Sequence, residues 1–140
     1  MTKVRHRARE VALQVLYRYE VNQADGKGAP PQGMELAQDL KHHFDHFQID
    51  DTLQAFAAEL VAGTLMKREE LDQLIESRAK NWKISRMALV DRCILRMALH
   101  EMRQFPDTPK AVVIDEAVEL AKQFGTSESS SFVNGVLDAV

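Results

Sequence analysis

Apolar residues recur at three- and four-residue spacing along most of this chain, and that one feature restricts it more than any other. Ala8, Ala12, Val15, Leu16 and Tyr19 mark one face of a first helix. Leu53, Phe56, Ala57, Leu60 and Val61, with Thr64, mark another. Met87, Val90, Ile94, Met97, Ala98 and Met102, with Glu101, form the longest stripe, and Val113, Ala117, Leu120, Ala121 and Phe124 form a further one. A sheet needs strands of period two, and the only strand-like run is AVVI at 111–114. It has no partner strand and reads as the start of a helix. The expected fold is therefore all-α.

Punctuation divides the pattern into about seven helices. Residues 24–33 hold three Gly and two Pro and read as a mobile loop. A weaker helix, Met34 to Phe47, follows it. Asp51 and Gln54 resemble a capping box opening the next helix, and Lys67 to Arg78 continues helically. Trp82 lies in the connection beyond, where its ring is expected to close one end of the core and its N–H to reach a partner. Ser85 is the expected N-cap of a helix over about 86–104. Gly125 stands where a C′ glycine would end the helix begun at Ala111, and a last helix runs from about Ser127 to Leu137. With 140 residues, 45% of them hydrophobic, the chain is long enough to bury a core without staples. A single domain over 1–140 is expected, with helical halves of about 1–80 and 81–140.

Few groups are suited to catalysis. Cys93 is the one cysteine, so no intramolecular disulfide forms and a reducing cytoplasmic setting is expected. The N-terminus lacks the apolar stretch of a signal peptide, and no run approaches the roughly 20 apolar residues of a membrane span. No membrane partner is expected. Cys93 lies within an apolar helical pattern and reads as a small buried hydrophobe. His42, His43 and His46 form H-H-x-x-H without the glutamate of the metalloprotease motif, so a solvated helix face is the plainer reading. Asp115, Glu116 and Glu119 have no visible base or nucleophile beside them. P-loop, dinucleotide-binding and nucleophile-elbow patterns are absent from the sequence. Catalytic residues, metal ligands and cofactors are therefore not expected.

The charge is unevenly distributed. Overall the chain carries 18 Lys+Arg against 21 Asp+Glu, a net of −3. Lys3, Arg5, Arg7 and Arg9, with His6 among them, all precede the first acidic residue, Glu10. Setting those four cations aside leaves 14 basic against 21 acidic residues, a balance of −7. Cations at a helix N-terminus oppose the macrodipole, so helix stability does not explain them. An external anion explains them better than a solvated basic tail does, and RNA phosphate suits the planar fork of arginine. Tyr17, Phe124 and Phe132 are the aromatic candidates for bases to stack on. Four neutralised phosphates on a single strand predict a slope of log K on log salt of about −3, or about fifty-fold weaker binding on going from about 50 to 200 mM salt.

Three stretches together resemble the NusB family of bacterial transcription antitermination factors. They are RHRAREVALQVLY (5–17), NWKISRMALVDRCILRMALHEM (81–102) and AVVIDEAVELAKQFGTSESSSFVNGVLD (111–138), and they lie in the family's order. The resemblance implies an all-α fold of two small bundles sharing one core. It implies no enzyme activity, and binding of boxA-type single-stranded RNA in ribosomal RNA transcripts. The partners it implies are the ribosomal protein NusE and the RNA polymerase antitermination complex. Carried over by position, it places RNA contacts at Lys3, Arg5, His6, Arg7, Arg9, Tyr17, Phe124, Ser129 and Phe132. Asp91, Arg92 and Glu128 fall toward the partner. The proposed mechanism sets the basic N-terminal end beside the Phe124–Phe132 corner, so that one RNA strand crosses both.

This sequence departs from the family pattern in three places. His6 stands for a third consecutive arginine, Ser129-Ser130-Ser131 lacks the lysine common before F-V-N-G, and His100 replaces a usual tyrosine. The competing reading is a protein-interaction module, or a homodimer, whose basic N-terminus meets a protein. NusB-like domains fused to ribosomal RNA methyltransferases are a third possibility, but 140 residues leave no space for a cofactor-binding α/β domain.

Overall fold

A computed structural model describes residues 2–140, with side chains from Arg5 onward. Seven α-helices and one 3-10 turn make up the regular structure among these residues. The helices are α1 (Thr2–Ala24), α2 (Gly33–His46), α3 (Asp51–Met66), α4 (Arg68–Arg78), α5 (Leu89–Gln104), α6 (Lys110–Phe124) and α7 (Ser129–Asp138). The fold is all-α, as the periodicity predicts, and AVVI becomes the first turn of α6. No helix among the described residues is long and apolar enough to cross a membrane.

The chain forms two compact units, one ending at Gly63 and the other Thr64–Val140. The division differs from the expected halves because α4 is tied to α5. Arg96 on α5 donates to both carboxylate oxygens of Asp72 on α4, at 2.6 and 3.0 Å, and Arg103 meets Glu70 at 3.0 Å.

In the first unit, α1 buries the predicted stripe: Ala8, Ala12, Val15, Leu16 and Tyr19 are all inside, joined by Val11 and Leu13. Tyr19 hydrogen-bonds Asp39 and so joins α1 to α2. The start of α3 is capped one residue earlier than the capping-box pattern places it. The Asp50 carboxylate accepts from Thr52 N–H at 3.3 Å, while its carbonyl accepts from Leu53 N–H at 2.8 Å. Gln54 still reaches back, donating to Ile49 O and to the carboxylates of Asp45 and Asp51.

In the second unit, α5 is the central element, packed by α4, α6 and α7. Every residue from Cys93 to Glu101 is buried. Ser85 is not its N-cap. It lies inside the 3-10 turn Ile84–Arg86, and α5 opens only at Leu89. The Glu76 carboxylate accepts from Ile84 N–H at 2.8 Å, and the bond from Met87 N–H to Ile84 O closes the turn. The last helix likewise begins at Ser129 rather than Ser127, since Thr126 N–H donates to Ser129 Oγ at 3.0 Å and holds a turn there.

Candidate nucleic-acid interface

Arginine at the start of α1 is found in two environments. Arg5 is exposed, with its guanidinium 4.7 Å from the centroid of the Phe56 ring. Arg7 is about half exposed, lies 5.7 Å from the Phe47 centroid and donates to Glu10 at 2.7 Å. Ring faces attract a guanidinium without using its N–H donors, so these cations are held in place with donors still available. An exposed pair such as Arg7–Glu10 contributes little and yields easily to a phosphate. His6 pairs with the same glutamate at 3.5 Å.

Arg9 departs from the expectation. It is 2% exposed and lies 5.4 Å from the Phe56 centroid on the inner face of α1. The helix period explains this, because Arg9 precedes buried Ala12 by three residues and buried Leu13 by four. Its guanidinium is part of the interior and is not offered to a phosphate. The side chain of Lys3 lies outside the described residues. Tyr17 presents its ring at 42% exposure on the outer face of α1.

The second unit carries a different surface. A cleft of about 250 Å³ is lined by Trp82, Arg86, Asp91, Thr126, Glu128 and Phe132, among others. Trp82 does not close a core. It is 49% exposed and meets Phe132 edge to face, with ring centroids 5.7 Å apart. Together the two rings form a half-open aromatic wall. Phe124 is exposed at the end of α6.

Asp91 projects into this cleft from the first turn of α5. It is buried, and its Oδ1 has no hydrogen-bond partner among the described residues. Such an oxygen is costly to leave bare and marks a place for a donor from outside. Arg92 is turned inward instead, with Nε donating to Met87 O at 3.1 Å. Ser129 also lines the cleft; it is 1% exposed, and its hydroxyl accepts from Thr126 N–H in the turn before α7. Glu128, just ahead of α7, is exposed.

Gly125 makes this corner possible. It ends α6 with φ −96°, so left-handed backbone is not the reason for glycine here. A Cβ at this position would collide with the Ser129 side chain and come within 2.7 Å of Ala121 O.

Sequence reasoning missed Trp82, Arg86 and Thr126 as lining residues. The signal for Trp82 was its setting, a large aromatic among the polar residues of KNWKISR, outside any apolar stripe.

The NusB family model matches residues 6–140. The chain belongs to the NusB family. It is 44% identical over 136 residues to the transcription antitermination protein NusB of Desulforapulum autotrophicum, covering 97% of this chain and 90% of that protein. Among solved structures, NusB of T. maritima superposes with a TM-score of 0.81 at 32% identity, covering 96% of this chain and 87% of that one. A crystal structure of antitermination factors NusB and NusE in complex with dsRNA superposes at 0.80 with 27% identity, covering 99% and 96%. NusB proteins are non-enzymatic transcription antitermination factors.

Proposed function

We propose that this NusB protein binds boxA-type single-stranded RNA together with NusE. On this reading it acts in the cytoplasm, within the RNA polymerase antitermination complex on ribosomal RNA transcripts. The observation that carries this reading is the state of Arg5 and Arg7. Both are held against aromatic faces at the end of the chain where positive charge is concentrated, Arg5 with its donors open and Arg7 with one of them on the exposed Glu10 pair. Arginine N–H groups would hold phosphates while bases stack on an exposed ring such as Tyr17. The cleft beside Trp82 and Phe132 supports a second contact. The uncompensated Asp91 oxygen suits an ammonium or guanidinium from a basic ribosomal protein, and Glu128 adds negative charge at its rim. A relative solved in complex with NusE and dsRNA supports NusE and RNA as the classes of partner.

With Arg9 withdrawn, Lys3, Arg5 and Arg7 remain as phosphate contacts. Three contacts give a salt slope of about −2, and about twenty-fold weakening over the same salt range. The test is a salt series with boxA-like and scrambled RNA on the wild type and on Arg5→Ala/Arg7→Ala, with and without NusE. The double variant should lose RNA affinity and flatten the slope while keeping NusE. Full RNA binding with an unchanged slope would remove the assignment. Loss of NusE binding alone would favour the competing reading, in which the basic end meets a protein.

A further inference from the structure

A larger cleft lies wholly within the first unit, formed by the second half of α1, the loop after it and the face of α2 from Glu35 to His43. Its volume is about 640 Å³, within the range of small-molecule sites. Arg18 enters from α1 and Lys27 from the loop, and neither has a carboxylate partner among the described residues. The acid best placed to neutralise them is occupied. Asp39 accepts from the Tyr19 hydroxyl and lies 3.5 Å from His43 Nε2. Burial raises the Tyr19 phenol and lowers the His43 imidazole on this floor, and the Arg18 charge acts on both as a lesser influence. Arg18 and Lys27 face the cleft without an ion-pair bond of their own, beside the still-charged Asp39, so their N–H donors are open to an anion.

The cleft is not built for a bare anion. Glu35 on the first turn of α2 also lines it, with no partner of its own. A second free carboxylate repels a compact inorganic ion and accepts hydroxyl or amine donors. Pro30 and Pro31 supply an apolar wall from the loop. A ligand that satisfies all of these carries a phosphate at one end, donor groups at the other and a flat or apolar body between.

We propose that this cleft binds a nucleoside phosphate, with Arg18 and Lys27 on the phosphate, Glu35 on ribose hydroxyls or an exocyclic amine, and the body against Pro30 and Pro31. The site is separate from the arginines at the start of α1 and does not depend on the RNA reading. A free nucleotide and the terminal nucleotide of an RNA present the same chemistry, and the measurement distinguishes them.

The experiment is titration calorimetry of the full chain with each of the four ribonucleoside 5′-monophosphates, with adenosine, with inorganic phosphate and with a short 5′-phosphorylated RNA. At least one monophosphate should saturate with Kd below about 1 mM. The nucleoside and inorganic phosphate should each bind at least about tenfold more weakly. Arg18→Gln/Lys27→Gln should lose about tenfold or more in nucleotide affinity, with an unchanged melting temperature since both side chains are exposed. Glu35→Gln should narrow the preference for nucleotide over inorganic phosphate. Displacement of bound nucleotide by the RNA would identify an RNA terminus as a second source. Absence of saturable binding by all four monophosphates overturns the proposal. So does equal binding by the double variant, or inorganic phosphate that binds as tightly as the nucleotide.

Discussion

The arginines of α1 and the arginine of α5 are stabilised by opposite means. Arg96 is 3% exposed and closed off by a two-pronged bond to Asp72, so charge meets charge and the guanidinium is used up within the fold. Arg5 and Arg7 rest on phenylalanine faces, which attract the cation but accept no conventional hydrogen bond, and the one carboxylate on Arg7, Glu10, takes a single N–H. The first arrangement fixes one helix on another, and the second keeps donors ready for an outside acceptor. Arg9 stands between them, buried like Arg96 and ring-backed like Arg5. Residue type alone therefore says little about the role of an arginine here, and burial together with the chemistry of its neighbour says most of it.

Substitutions can break the contrast from either side. The largest effect is expected for Asp72→Ala, which takes the two-pronged carboxylate away from the buried Arg96 guanidinium. It should cost about 3–5 kcal/mol and lower the melting temperature by about 10 °C, read by thermal denaturation. Arg9→Ala should come next, at about 2 kcal/mol of stability from lost packing and ring contact. Its RNA affinity, measured well below the melting point, should stay near wild type. A pronounced loss of affinity in a folded Arg9→Ala protein would return Arg9 to the RNA-binding group. Gly125→Ala should cost about 1–3 kcal/mol through the collision at the Ser129 corner. Arg5→Ala/Arg7→Ala inverts the pattern, with stability changed by less than about 1 kcal/mol and the salt slope of RNA binding reduced by about 1.4.

The smallest effect concerns pH. Burial, the leading cause, holds the His43 imidazole below its ordinary pKa of 6.5. The unfolded chain therefore takes up this proton at higher pH than the folded one. The stability involved is present above about pH 6.5 and is lost as pH falls from there through the lowered folded value. His43→Gln should flatten that part of a melting-temperature profile. Desolvation, followed by the bond from its hydroxyl to Asp39 and the charge on that carboxylate, pushes the Tyr19 phenol upward. Its contribution is present below about pH 10 and declines as pH rises above that.

Helical spacing made most of the elements legible, because the period of 3.6 residues is imposed by backbone geometry and survives any tertiary setting. The predicted stripe of α1 is buried throughout and that of α6 is buried apart from Phe124, which is exposed at the helix end, and the break at residues 24–33 was readable too. The ends of helices were less so. Ser85 and Ser127 have the chemistry of caps, but the bonds from Ile84 N–H to Glu76 and from Thr126 N–H to Ser129 moved the starts of α5 and α7. Glu76 lies eight residues before its acceptor role, beyond the reach of local rules. At the candidate interface, charge clustering pointed to the start of α1. It could not separate Arg9 from its neighbours until the helical face was followed inward. Trp82 was read as core from its size, whereas its contact with Phe132 depends on how the chain after α4 meets α7.

The bare oxygen of Asp91 has a thermodynamic consequence. A buried acceptor that takes no donor from within the chain gains a charge-assisted bond when a visiting cation donates to it. Complex formation through this cleft would then raise the unfolding temperature. Asp91→Leu, which removes that acceptor, would give a monomer that welcomes its companion less.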